Sequence, residues 1–331
     1  MTAFHPQDPD TWAEHALHLR SRVAPTPGDP VDSFVDWNLN IGPLTTDDTH
    51  KVAHAVAQAQ HRNLRAPLTG RNIVVVDGPP LAGKTYATIA TALEQTRQAL
   101  DRPPQDPTCH RPRPWAYIEV LNHTGAKSIA QALAHSVGAL VDRSAGIHQH
   151  VAAIRYMAPK VGLRGYIIDD SHGLLGARSR DTSSLATALK GLITGIPATA
   201  VVTGTNLRQD GIFQGTAGEQ VRLSARNWVM CGDWPPPDGR TTTGWERLVR
   251  QLEQQLVFPG GQRQFHLATR QSIKTLAEGS LGRPGLAIRW ATEAAVHAVT
   301  NDTVLDRMAL EATARLVDPA AGLPTIPAAP A

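Results

Sequence analysis

The eight residues Gly78–Pro79–Pro80–Leu81–Ala82–Gly83–Lys84–Thr85 fit the pattern Gly-x-x-x-x-Gly-Lys-[Ser/Thr]. Each residue type has a physical reason to stand where it does. Glycines let the backbone curl until its N–H groups face a chain of phosphates. The N-terminus of a following helix, which Tyr86 continues, adds partial positive charge. Lys84 would neutralise the β- and γ-phosphates, and the Thr85 hydroxyl would ligate Mg²⁺. The expected ligand is therefore a nucleoside triphosphate, with ATP and Mg²⁺ as cofactors.

A second signal stands about 80 residues on. Tyr166–Ile167–Ile168 is an apolar run that ends in Asp169–Asp170. A carboxylate at a strand tip can hold Mg²⁺, mostly through water, and this role falls to Asp169. Asp170 stands where a general base or a water-positioning carboxylate is needed. A third run, Ala200–Val201–Val202–Thr203, ends in Gly204–Thr205–Asn206. Thr205 and Asn206 are both candidates to touch the γ-phosphate or the attacking water. In Leu223–Ser224–Ala225–Arg226, Arg226 could stabilise transition-state charge on the nucleotide of a neighbouring subunit, with Arg222 as its competitor.

The elements that must carry these residues follow from periodicity. A helix is expected over 46–65, where Val52, Ala55, Val56 and Ala59 recur at helical spacing. Ile73–Val74–Val75–Val76 reads as a buried strand and 85–100 as a helix. Strands are expected over 116–121, 166–168 and 199–203, with helices over 128–141, 148–158 and 182–193. Strands alternating with helices point to a parallel α/β sheet covered on both faces. Trp234–Pro235–Pro236–Pro237 breaks the pattern, and helical spacing follows over 245–256, 268–278, 285–300 and 303–316. Before the first strand, 10–22 reads as a short helix followed by an irregular arm. The expected division is an N-terminal arm (1–45), an α/β domain (46–235), a small all-α domain (236–316) and a Pro/Ala-rich, disordered tail (317–331).

Composition sets bounds on this reading. The 331 residues are 41% hydrophobic and 18% charged, enough apolar material for a sizeable core. The net charge of +3 permits nucleic acid as a partner without arguing for it. Cys109 and Cys231 are the only cysteines, without zinc-ligand spacing, which fits reduced thiols in the cytoplasm. The start MTAFHPQDPD lacks the basic and apolar regions of a signal peptide, and every apolar run is too short to cross a membrane.

Taken in order, these motifs resemble those of the AAA+ ATPases, and among them the TniB/TnsC-type transposition regulators, relatives of the Mu transposition ATPase. The resemblance covers roughly residues 46–300. It rests on the phosphate loop, on Asp169–Asp170 continuing through His172 to Leu174–Leu175, on Gly204–Thr205–Asn206, on Ser224–Ala225–Arg226, and on Gly282–Arg283–Pro284–Gly285 opening a helix. It implies a P-loop NTPase (AAA+) with a parallel sheet and a C-terminal helical lid. It further implies a homo-oligomeric ring or filament that assembles on double-stranded DNA and recruits a transposase and a targeting adaptor, with ATP between protomers. The loop 122–127 would face the DNA, with Lys127 as the first phosphate contact and Arg143 as the second. Two positions depart from the family. Asp170 stands in place of a Glu, one methylene shorter, which implies slow hydrolysis. Gly285 stands where many AAA+ lids carry a sensing Arg. Two other classes stay open. One is an AAA+ or STAND-like NTPase of an antiphage or signalling module with a protein partner; the other is a replication-type loader or initiator.

Overall fold

The computed structural model describes residues 4–66, 71–101, 112–120, 125–171, 182–208, 213, 215–232, 234–237, 244–261 and 265–317. Part of the loop 122–127, the His172–Leu175 stretch and the tail beyond 317 lie outside the described residues.

Five strands form one parallel sheet: β1 (Val74–Asp77), β2 (Trp115–Glu119), β3 (Gly165–Asp169), β4 (Thr199–Gly204) and β5 (Asn227–Met230), in the order β2-β3-β4-β1-β5. The strands β1, β3 and β4 are buried along their whole length. Such burial on both faces explains why they read as continuous apolar runs rather than as alternating ones. Parallel pairing brings all the C-terminal ends to one edge. There Asp77 lies level with Gly204 and with Met230, and Glu119 with Asp169. Because β4 sits between β1 and β3, the phosphate loop after β1 and the acidic pair at the tip of β3 flank the tip of β4.

The chain divides into two compact units. The first contains the described residues of Met1–Ser21, Asp48–Pro79 and Lys84–Cys231. Here the helices α5 (Ala126–Ser136), α6 (Ile147–Lys160) and α7 (Thr182–Gly195) cover one face of the sheet. Ile118, Tyr166, Ile168 and Val202 of that face pack with Ile129, Leu133, Ile154 and Leu192. The opposite face receives α4 (Lys84–Leu100), against which α1 (Thr11–Ser21) packs. The helix α3 (Asp47–Asn63) is tied to the base of the sheet by buried Asn63. Its amide donates to Asn72 O and to Thr199 Oγ1, both at 2.9 Å, and accepts from Asn72 N at 2.7 Å.

The second unit contains the described residues of Arg22–Asp47, Pro80–Gly83 and Gly232–Ala331. Its axis is α11 (Pro284–Thr300), whose buried residues are mostly alanine, with Trp290 as the one large anchor. Trp290 lies so close over Gly279 that a Cβ there would approach its ring to 2.3 Å, and its Nε1 donates to Leu310 O at 2.8 Å. Around α11 stand α9 (Gly244–Gln255), α10 (Arg270–Gly279) and α12 (Arg307–Val317). A helix absent from the sequence reading, α2 (Val31–Leu39), packs here against α11. Its Trp37 Nε1 donates to Gln255 O at 2.6 Å, and Asn38 exchanges two 2.9 Å bonds with the Val257 backbone. Residues 4–45 are thus shared between the two units, α1 in the first and α2 in the second. The sequence reading also lacks α8 (Gly215–Ser224) and the edge strand β5 that follows it.

Candidate functional site

The loop after β1 is shaped by its glycines and by one carboxylate. The Asp77 Oδ1 accepts from Gly78 N at 2.8 Å, which turns the chain as it leaves the strand. Gly78 has φ +154°, and a Cβ there would lie 2.2 Å from Cys231 O, so no other residue fits. Gly83 (φ +91°) completes the curl, with Leu81 also at positive φ. Helix α4 then begins at Lys84, so the partial positive charge of a helix N-terminus follows directly on the loop.

Lys84 is only 7% exposed. Its Nζ donates to Gly78 O at 2.9 Å and to Pro79 O at 2.7 Å, and lies 3.4 Å from Thr205 Oγ1. Burial pulls the pKa of this ammonium down, while the negative charges of the carboxylates, Asp170 first and then Asp169 and Asp77, oppose that shift. Two carboxylates more than 80 residues away in sequence therefore act on the loop's lysine.

Asp169 is 2% exposed and its carboxylate is held from both sides. From β2 the Tyr117 hydroxyl donates to Oδ2 at 2.6 Å. From β4 the Thr203 hydroxyl donates to Oδ1, which also accepts from Asp170 N at 3.1 Å. Burial and then the charge of Asp169 raise the Tyr117 pKa far above its ordinary value, so the phenol remains a donor. Ser171, fully buried, donates to Thr203 O at 2.7 Å and fixes the chain beyond the acidic pair. Asp170 adopts φ +51°. Asp169 and the Thr85 hydroxyl could hold a cation, and an all-oxygen pair of this kind suits a hard one such as Mg²⁺. Among the described residues no three His, Cys, Asp or Glu side chains gather to cage a metal. A cation held by this set would complete its shell from water and phosphate.

Of the two candidates at the tip of β4, Thr205 approaches Lys84, whereas Asn206 is exposed at φ +56°. Arg222, in the last turn of α8, and Arg226, in the connection to β5, are both exposed on the first unit. Lys127, in the first turn of α5, donates from Nζ to Ser144 O at 3.1 Å, which brings it beside exposed Arg143. The same turn carries Asp142, whose carboxyl is held below its ordinary range by hydrogen bonds from Ser144 and by the charge of Lys127.

In the second unit, Gly282 (φ +73°) ends the turn before α11 and Pro284 opens that helix. A Cβ on Gly285 would meet Leu81 O at 2.7 Å and Gly83 N at 3.0 Å. The backbone of α11 thus lies directly against the tip of the phosphate loop, and an arginine at this position would displace it. Arg289 is exposed and Arg283 half-buried.

Sequence reasoning does not find Tyr117 and Thr203. Alternation along Trp115–Glu119 places Tyr117 on the same face as Glu119, but only the register with β3 shows that this face meets Asp169.

The strand order, the loop at the tip of β1 and the acidic pair at the tip of β3 define a P-loop AAA+ α/β fold. Solved structures agree. The chain is similar to the Aeropyrum pernix ORC2 protein in ADPNP–ADP complexes, with TM-score 0.59, 15% identity, and coverage of 84% of this chain and 69% of that one. It is similar to the Aeropyrum pernix ORC1 protein in complex with DNA, with TM-score 0.53, 14% identity, and coverage of 85% and 68%. It is also similar to Cdc6p from Pyrobaculum aerophilum, with TM-score 0.51, 14% identity, and coverage of 79% and 64%. At these identities the likeness is one of fold. No protein-family model matches the chain, and neither does any curated protein. No helix among the described residues is long and apolar enough to cross a membrane.

Proposed function

We propose that this protein is an ATP- and Mg²⁺-dependent AAA+ ATPase of the cytoplasm that oligomerises on duplex DNA and regulates transposition. In this reading an ATPase domain (46–235) works with a helical lid (236–316). The observation that carries it is the convergence of Lys84, Thr205, Asp169 and Asp170 at one edge of the sheet. The loop from Gly78 to Tyr86 binds the phosphates, with Lys84 exchanging its bonds to Gly78 O and Pro79 O for phosphate oxygens. Thr85 and Asp169 hold Mg²⁺, which neutralises phosphate charge. Asp170 orients or deprotonates the attacking water, and Asn206 assists at the tip of β4. Arg226, exposed on the first unit, serves the site of the next protomer. Lys127 and Arg143 bind DNA phosphates, with little sequence preference and strong salt dependence. That reading draws support from a structure of the same fold being a complex with DNA. The transposase and targeting-adaptor partners rest on the resemblance of the motifs to the TniB/TnsC regulators.

The test is negative-stain microscopy of the protein with ATP and long duplex DNA at low salt. Rings or filaments are expected, lost in Lys84→Ala. In Asp170→Asn binding survives while turnover falls. A chain that stays monomeric under these conditions refutes the proposal. A replication-type loader is the second reading, favoured by the likeness to the ORC and Cdc6p structures. It predicts DNA binding without any response to a transposase.

A further inference from the structure

We propose that Tyr117 and Thr203 are positioning residues that fix the Asp169 carboxylate so that Oδ2 alone faces the Mg²⁺ shell. The inference rests on the ATPase reading above. It begins from the place of β3 in the sheet, with β2 on one side and β4 on the other. Tyr117 lies level with Ile167, so the long phenol side chain reaches diagonally along β3 to the carboxylate two residues on. From the other side Ile168 lies level with Val202, which brings the next residue of β4, Thr203, beside Asp169. The carboxylate is thus bracketed by hydroxyl donors from both neighbouring strands. Its side-chain torsions are set by three strands rather than by its own rotamer preference.

Counting acceptor sites gives the orientation. A carboxylate offers about four lone-pair sites, two on each oxygen. Oδ1 accepts from the Thr203 hydroxyl and from Asp170 N, which fills it. Oδ2 accepts from the Tyr117 hydroxyl, which leaves one site. A metal, or a water in its shell, can therefore use one oxygen only, and that oxygen is shared with Tyr117. The bonds are charge-assisted and buried, the setting in which a hydroxyl holds a carboxylate most firmly. Outer-shell partners of this kind orient ligands, and their loss typically weakens metal affinity about tenfold to a hundredfold.

The test uses the full chain and a fluorescent ATP analogue, titrated in Mg²⁺ and in excess EDTA. Tyr117→Phe keeps the ring and removes the hydroxyl; Thr203→Val keeps the shape and does the same on the other side. In both, affinity in EDTA is expected to equal that of the parent, while the gain on adding Mg²⁺ falls about tenfold to a hundredfold. Thr203→Ser restores the gain. A merely structural role would lower the melting temperature and shift both affinities together, leaving the Mg²⁺ gain intact. Variants that keep the parent's full Mg²⁺ gain overturn the proposal. If the parent binds the analogue with no Mg²⁺ gain, Asp169 is not the metal carboxylate and the proposal falls while nucleotide binding stands. If the parent binds no analogue at all, the ATPase reading falls first.

Discussion

Replacing Gly78 by alanine isolates what the phosphate loop demands of its backbone. The added Cβ would lie 2.2 Å from Cys231 O and 3.1 Å from Cys231 C. Both are main-chain atoms, so no change of rotamer relieves the contact. Cys231 cannot retreat freely, because its N–H donates to Asp77 O at 2.8 Å, one residue before Gly78. Overpacking of this kind costs about 1–3 kcal/mol. The backbone at φ +154° is one that L-residues rarely adopt, which adds about 1–3 kcal/mol. Gly83→Ala is the matched control. It meets the second cost at φ +91°, but its nearest neighbour, Gly285 N, is at an ordinary 3.8 Å. Gly78→Ala should therefore be less stable than Gly83→Ala by about 1–3 kcal/mol. At a slope of about 2 kcal/mol per molar urea, its midpoint falls about 1 M further. Urea denaturation followed by circular dichroism and tryptophan fluorescence measures this. Equal midpoints for the two variants would refute the steric argument, and with it the assignment of Gly78 as the residue that lets the loop leave β1.

Three further outcomes are expected. Lys84→Met should abolish nucleotide binding yet raise the urea midpoint at pH 7. Burial lowers the Lys84 pKa, so the folded protein disfavours the ammonium, and that cost fades only as pH rises towards the unfolded value of 10.5. A lower midpoint would show that its loop contacts outweigh desolvation. Cys231, whose thiol is pushed up to about 12 by burial, should resist a thiol reagent at pH 8 until the protein unfolds, measured in a Cys109→Ser background. Because its folded pKa lies above the unfolded 9.0, it contributes stability that is lost as pH rises from about 9 to about 12, a loss that Cys231→Ala should reduce. Asn63→Leu should destabilise by about 2–4 kcal/mol in calorimetry, because it orphans the Asn72 backbone and Thr199 at the base of the sheet. A loss below 1 kcal/mol would mean that water replaces the amide.

The phosphate loop, the acidic pair and the alternation of strands and helices were legible in the sequence because each is a local pattern. Gly78 to Thr85 needs only eight consecutive residues, and Val74–Val76 or Tyr166–Ile168 shows burial on both faces in a single run. The helices α2 and α8 and the strand β5 were not legible. Val31–Leu39 is a short helix after a proline, and Asn227–Met230 is a four-residue strand with only Val229 buried. Neither carries a period long enough to read. Their places come from partners elsewhere: Gln255 and Val257 for α2, and β1 for β5.

The site divides in the same way. The sequence by itself determined that a glycine-rich turn, a lysine and an acidic pair exist at spacings suited to a triphosphate. Only the tertiary structure decided which groups meet them. Parallel pairing with β4 between β1 and β3 brings Thr205 rather than Asn206 to Lys84, and sets Tyr117 and Thr203 on either side of Asp169. Within the second unit, the backbone at Gly285 lies against Leu81 and Gly83, which leaves no room for a Cβ at the position noted as a departure from the family. The reason is physical. A loop's conformation is written in its own residues, but a hydrogen bond across three strands depends on register, and register is a property of the sheet.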